Sequence, residues 1–269
     1  MSAIESETVE ASSHTVLAAA AVPRESPDRE IAREVCRAIS EDRLLFQPEV
    51  VCAIDDRTDI LYREMLVRMK VGDTVLLPGR FIPALEKLSL MRPFDCFVVR
   101  HTLEAIKATP GVTIGCNVSA QSARDDPWWQ EVFLELENDT EAASRLVVEI
   151  TESAPFAPIA GPAFVRRLQR MGVRVAIDDF GAGFSAGTAN SCATDIIKVD
   201  RSFLRRVRQG ALCVAELSRL IGIAQGMAPL VVLEGVETPD DIRIARDTGV
   251  HWIQGYYVNA SRCTSPTTC

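Results

Sequence analysis

Short apolar runs that keep ending in a polar residue leave a chain few ways to fold, and this one repeats that pattern along most of its length. The sharpest case is Val173 to Ser185: Val-Arg-Val-Ala-Ile, then Asp178-Asp179, then Phe-Gly-Ala-Gly-Phe-Ser. The β-branched run reads as a buried parallel strand. The glycines let the backbone turn sharply just past it. Adjacent carboxylates repel unless a cation sits between them. A lone Asp there would be explained by capping the next helix; the pair with the Gly-rich turn favours metal binding.

The same alternation organises the rest. Pro27 to about Ile39 has helical periodicity, with Ile31, Val35 and Ala38 on one face. Leu44–Val50 and Ile60–Met69 read as strands joined by a polar turn at Asp55–Thr58, which predicts an antiparallel pair. Helical patterns follow at Arg80–Leu88, Phe94–Ala108, Trp128–Leu136, Pro162–Met171, Leu212–Met227 and Asp240–Asp247. Between them lie strand-like runs at Val112–Val118, Leu146–Ile150, Val173–Ile177, Ile196–Val199, Val231–Leu233 and Trp252–Ile253. Such alternation predicts a mostly parallel sheet. About eight strands in a chain of this length predict a closed α/β barrel.

Composition narrows the function. The 269 residues are 47% apolar and 25% charged, enough for a sizeable core. A net charge of −8 disfavours long nucleic acid as a partner, but not a small anion held through metal ions. The longest apolar run near the start, Val16–Val22, is too short to span a membrane. The residues before it lack the basic start of a secretory signal, so a cytoplasmic protein is expected. The eight cysteines form no C-x-x-C pair and read as small buried hydrophobes, with Cys263 and Cys269 in the tail. His14, His101 and His251 show no ligand spacing. Residues 1–28 read as a flexible leader, 29–260 as the barrel domain and 261–269 as a loose tail.

The runs end at Glu64, Asn117, Glu149, Asp178 with Asp179, Lys198, Glu234 and Gln254. In a parallel barrel these ends converge on one face, where barrel active sites lie. Helix capping explains one or two buried polar groups, not seven or eight. The donor set is rich in oxygen and contains no Cys or His, which suits Mg2+ or Mn2+ rather than zinc. Such a set can hold two ions about 4 Å apart, an arrangement that clamps a phosphodiester. Lys198 could stabilise developing negative charge or orient the attacking water. An unrelated reading makes Lys198 a Schiff-base nucleophile, but the surrounding carboxylates would raise its pKa and blunt it.

These residues also resemble a known family, the EAL-domain cyclic di-GMP phosphodiesterases, over roughly residues 30 to 258. Phe46-Gln47-Pro48 resembles the family's first strand, and Glu64-Met65-Leu66-Val67-Arg68 its Glu-Ala-Leu signature with the following Arg. Pro78, Phe81-Ile82-Pro83 and Glu86 match the next block. Asn117-Val118-Ser119, Glu149-Ile150-Thr151-Glu152, Asp178 to Ser185, Asp195 to Asp200, Glu234 to Thr238 and Gln254-Gly255-Tyr256 match later ones in order.

The resemblance implies a modified (β/α)8 TIM-like barrel with one antiparallel strand near the start. It also implies hydrolysis of cyclic di-GMP to linear pGpG with two Mg2+ or Mn2+ ions. By position, Glu64, Asn117, Glu149 and Asp178 would be metal ligands, with Asp179 on the second ion. Lys198 and Glu234 would contact or activate water. Gln47, Leu66 and Arg68 would contact the nucleotide. Glu152 would hold the Asp-Asp-Phe-Gly loop, and Glu237 and Gln254 would support the metal site.

The chain also departs from the pattern. Met65 replaces the signature Ala, and Ala182 and Phe184 replace the commoner Thr and Tyr. The usual Pro after the last strand is missing. Ala186 to Thr194 is small and polar where the family carries a helix that contributes to dimerisation. The alternative reading is therefore a catalytically weak barrel that serves as a cyclic di-GMP receptor or a protein-interaction module, with homodimerisation altered.

Overall fold

A computed structural model describes residues 26–151, 156–182 and 192–260. Among them the strands are β1 (Leu44–Ala53), β2 (Ile60–Val71), β3 (Thr74–Leu76), β4 (Ile114–Ser119), β5 (Leu146–Thr151), β6 (Arg174–Phe180), β7 (Ile196–Val199), β8 (Leu230–Leu233) and β9 (Trp252–Gln254). From β4 to β9 each strand pairs in parallel with the next. β2 joins β4 in parallel. β1 runs antiparallel to both β2 and β9 and closes the ring. The expected α/β barrel with one antiparallel strand is what the chain forms. β3 extends the free end of β2 beyond the barrel.

Among the described residues the helices are α1 (Pro27–Ser40), α2 (Ile82–Lys87), α3 (Met91–Ala108), α4 (Gln130–Asn138), α5 (Thr140–Ser144), α6 (Ala160–Arg170), α7 (Arg201–Arg208), α8 (Val214–Gln225), α9 (Pro239–Thr248) and α10 (Tyr256–Ala260). The outer faces of β4–β6 pack with α1, α3, α4 and α6 in one apolar layer. Those of β7–β9 pack with α7, α8 and α9 in a second. Burial of these faces, rather than helix propensity, holds the helices in place.

Inside the ring, the strand pleat sends alternate residues inward. Val51, Tyr62, Val147, Ala176, Ile196 and Val232 form an apolar plug, with Trp252 packed against it. Gly115 belongs to the same layer, because a Cβ there would lie 2.7 Å from Glu149 Oε1 and 2.8 Å from the Tyr62 ring. The glycine leaves room for both neighbours.

Several expectations shift. Glu64 is not at a strand end; it is the fifth residue of a twelve-residue strand. Pairing with β1 carries β2 well past the barrel mouth, to Met69. Asn117 and Glu149 likewise lie two residues before their strands stop. α7 was missed because half of its eight residues are arginine and it buries Leu204 alone completely. Met65 packs against the outer apolar layer, on the strand face opposite Glu64. In place of a proline, Asn259 ties down the end of the barrel. Its Oδ1 accepts the Val50 N–H (3.0 Å), and its Nδ2 donates to the Gly255 carbonyl (3.0 Å). The expected tail, 261–269, lies outside the described residues, as does all but the end of the expected leader.

Filling the Gly115 position should overpack the interior. Gly115→Ala is expected to lose about 1–3 kcal/mol of stability, read as a lower urea midpoint. An unchanged midpoint would show that Tyr62 and Glu149 do not crowd this position.

Candidate active site

The polar ring sits one pleat above the apolar plug. On the parallel strands and β2, each inward residue is followed two positions later by a polar one. Tyr62 leads to Glu64, Gly115 to Asn117, Val147 to Glu149, Ala176 to Asp178, Ile196 to Lys198, Val232 to Glu234 and Trp252 to Gln254. Period two along a strand puts each such pair on the same face.

Lys198 stands at the centre and is 1% exposed. Its Nζ lies 2.5 Å from Glu149 Oε2, 2.9 Å from Glu234 Oε1, 3.0 Å from Glu64 Oε2 and 3.2 Å from Asp178 Oδ1. Asn117 Nδ2 donates to Glu64 Oε1 at 2.5 Å, and Gln254 Nε2 donates to Glu64 Oε2 at 2.7 Å. Residues from seven strands thus converge on one point.

Charge dominates this point. Burial, reinforced by Glu64 and Asp178, pushes Glu149 well above the usual carboxylate range, against the pull of Lys198. Burial also raises Asp178, with Glu64 adding to it. Burial, Asp178 and Glu64 carry Glu234 to about 8. Glu64 moves the other way: burial would raise it, but Lys198, Gln254 and Asn117 outweigh that and lower it. Burial alone would lower the Lys198 amine, yet the surrounding carboxylates raise it well above its usual value. Four carboxylate oxygens within 3.2 Å favour the ammonium form, which counts against the Schiff-base reading, since that chemistry needs the free amine.

Asp179 needs a special backbone to join the site, because neighbouring strand residues normally face opposite ways. The β6–β7 register shifts between Ile177 and Phe180, and Asp179 takes a left-handed φ of +55°. Such a bulge re-aims side chains, and a non-glycine residue with this φ stores about 1–3 kcal/mol of strain. The result is that one oxygen each from Asp178, Asp179 and Glu234 lie within 4.8 Å of one another. Burial, then Asp178 and Asp200, raise Asp179 to about 7.

The donors fit divalent cations. Asn117 Oδ1, Glu149 Oε1 and Gln254 Oε1 are buried without a hydrogen-bond partner. Buried orphan acceptors are costly and ask for an explanation. Four carboxylates around one ammonium leave a net charge of three negative when all are ionised. Hard oxygen donors with excess negative charge suit Mg2+ or Mn2+.

Gln47, Leu66 and Arg68 line the same cleft, of about 1820 Å³, as Glu64, Asn117, Asp178, Lys198 and Glu234. Gln47 lies opposite Leu66 on the hairpin. Arg68 donates to the Val67 carbonyl (2.9 Å) and not to a barrel carboxylate. Glu237 is not brought into the cluster: it pairs with Arg208 at 2.9 Å and is half exposed. Its backbone N–H donates to Asp241 Oδ2, within the capping box that opens α9. Glu152 lies outside the described residues, as do residues 183–191. Among the lining residues that sequence reasoning missed is Glu49, which lies opposite Glu64. The signal was present: a strand that turns Gln47 to the site turns residue 49 the same way.

The profile of the EAL domain family matches residues 29–261. This chain belongs to the EAL domain family. It is 30% identical over 222 residues to a Pseudomonas aeruginosa cyclic di-GMP phosphodiesterase, covering 80% of this chain and 37% of that protein. It is 28% identical over 205 residues to the Escherichia coli cyclic di-GMP phosphodiesterase PdeF, covering 74% and 27%. The chain therefore spans about a third of the length of these relatives. Among solved structures, the PaMucR phosphodiesterase in complex with c-di-GMP superposes with a TM-score of 0.73 at 23% identity, covering 85% of this chain and 96% of that one. That likeness shows a shared EAL barrel. Among the described residues no helix is long and apolar enough to cross a membrane.

The raised carboxyls fix a pH dependence for this EAL domain. A group whose pKa is higher folded than unfolded stabilises the fold while protonated, and that stability is lost as pH rises through the folded value. Asp179 at about 7 and Glu234 at about 8 spread the loss from the ordinary carboxylate range, about 4, up to those values, and buried Asp95, also about 8, has the same sign. With a chelator present, Tm should fall between about pH 5 and about pH 8 and level off above it. Added Mg2+ should flatten the fall, because a bound cation favours the ionised carboxylates. A Tm that climbs over this window in chelator would contradict the assignment.

Proposed function

We propose that this EAL domain hydrolyses cyclic di-GMP to linear pGpG by a two-metal phosphodiesterase mechanism. The observation that carries the reading is the convergence of Glu64, Glu149, Asp178 and Glu234 on Lys198 at a cleft edged by Gln47, Leu66 and Arg68. The relatives named as cyclic di-GMP phosphodiesterases support it.

Glu64, Asn117, Glu149 and Asp178 would hold one ion, and Asp179, with Asp178, the second. Bound divalent cations would neutralise phosphodiester charge and acidify a water at neutral pH. The chain's own groups do the rest. Gln47 and Leu66 bind the nucleotide face that reaches the hairpin, and Arg68 offers a fork of donors to phosphate or base. Glu234, at the edge of the cleft, would take a proton from the attacking water once bound cations favour its carboxylate form. The Lys198 ammonium lies beside Glu234 and stabilises negative charge as it grows on the phosphoryl oxygens. Water adds to phosphorus, the bond to the 3′ oxygen breaks, and that oxygen leaves with a proton. The product is a linear dinucleotide with a 5′ phosphate.

A second reading rests on Ala186 to Thr194, whose small polar sequence is a weak helix former. It would leave a cyclic di-GMP receptor with little turnover. Purified protein incubated with cyclic di-GMP and Mg2+ or Mn2+ should accumulate pGpG. Glu234→Gln should lower kcat about 10²- to 10⁴-fold while Ca2+-supported binding of cyclic di-GMP persists. Tight binding with no pGpG under any divalent ion would favour the receptor. Full activity in Glu64→Ala would contradict the phosphodiesterase assignment.

A further inference from the structure

Four of the cations that line the cleft already have a place: Arg57, Arg63, Arg68 and Lys198. Arg57 lies over the Tyr257 ring, 4.8 Å from its centre. Arg63 is on the face of β2 opposite Glu64. Arg68 donates to the Val67 carbonyl, and Lys198 is held among carboxylates. Arg201 lines the same cleft and is exposed. Its guanidinium makes no ion pair or hydrogen bond with the described residues.

The backbone roots Arg201 at the rim of the acidic ring. It follows Asp200, whose side chain accepts the Ser202 N–H at 3.0 Å and fixes the turn by which the chain leaves β7. A Cβ added to Gly235 would lie 2.5 Å from Arg201 Cβ, so the two residues touch. Gly235 follows Glu234, whose Oε1 is 2.9 Å from Lys198 Nζ. Around the closed sheet, β7 is four strand-to-strand steps from β2 in either direction. Arg201 therefore stands across the mouth from Leu66 and Arg68.

The other arginines of α7 have a local explanation. Arg205, Arg206 and Arg208 fall in its last turn, where the helix dipole favours cations. Arg208 also pairs with Asp241 and Glu237. A cation at the first helical position meets the opposite end of that dipole and gains nothing from the helix. A residue that breaks a local rule without local compensation points to function. What would favour Arg201 is an anion at the cleft. Cyclic di-GMP carries two phosphodiester charges, and ions that grip one leave the other to the protein.

We infer that Arg201 is a substrate-binding residue that takes the phosphodiester not being cut, from the side of the mouth facing the β1–β2 hairpin. The inference rests on the cyclic di-GMP reading and deepens it. Arg68 and Leu66 meet the ligand on one side of the ring, and Arg201 meets it on the other. The site then selects a ligand with two separated phosphodiesters.

The test is calorimetric titration of the purified full chain with cyclic di-GMP and Ca2+, paired with turnover in Mg2+. Arg201→Ala keeps the Cβ beside Gly235 and removes the guanidinium. It should weaken the Kd about tenfold or more, the effect of losing one charge-assisted contact. KM should rise by a like factor with kcat within about threefold, because the lost contact is to a group that does not react. Arg201→Gln should match it, and decides alone should Arg201→Ala not fold. Arg201→Lys keeps a point charge that phosphate accepts and should stay within about threefold of wild type. The Mn2+ Kd without nucleotide should be unchanged in all of them. The inference is overturned if Arg201→Ala and Arg201→Gln bind cyclic di-GMP as wild type does, or if they lower kcat and leave KM alone. It is also overturned if Arg201→Lys falls as far as Arg201→Ala, since a need for the planar fork points to a guanine edge and not to phosphate. Wild-type protein that neither binds nor cuts cyclic di-GMP would instead overturn the reading on which the inference rests.

Discussion

Repulsion among carboxylates at the barrel mouth is the constraint on which the rest depends. Glu64, Glu149, Asp178 and Glu234 all lie within 3.2 Å of one nitrogen. Lys198 alone cannot neutralise four of them, and burial denies them water. The raised values of Glu149, Asp178 and Glu234 record that conflict. A cation that binds this fold in preference to the unfolded chain would relieve the conflict and stabilise it.

The barrel creates the conflict by simple repetition. Each strand sends one apolar residue inward and, two residues on, one polar residue. Closing the sheet brings the polar set to one level. The level below is filled by Tyr62, Val147, Ile196 and their neighbours, so the ring has a dry floor and one open side. That asymmetry suits a site that admits a dinucleotide from above and keeps it above the plug. The one irregular strand, β6, supplies two consecutive carboxylates by a bulge that ordinary strand geometry would forbid.

Much of this was legible in the sequence because period-two patterning and short apolar runs report local geometry. The order of strands, the antiparallel start and the set from Glu64 to Gln254 all follow from such runs. Position along the strand was less legible. Glu64 looks terminal because polar residues follow it, yet pairing with β1 to Met69 and with β3 to Val71 extends β2 for seven more residues. Glu49 was passed over because β1 runs the other way, and its step toward the mouth reads backward. Glu237 sits in a motif beside Glu234, but the turn at Gly235, with φ +74°, carries its side chain to Arg208. Such placements depend on tertiary pairing, which a one-dimensional pattern does not encode.

The central claim is that this ring holds a pair of divalent cations. Crystals grown with Mn2+ and measured at the manganese absorption edge test it most directly. Two anomalous peaks are expected, one among Glu64, Asn117, Glu149 and Asp178 and the other beside Asp178 and Asp179. Well-ordered carboxylates with no peak among them, or manganese bound only elsewhere on the surface, would contradict the account.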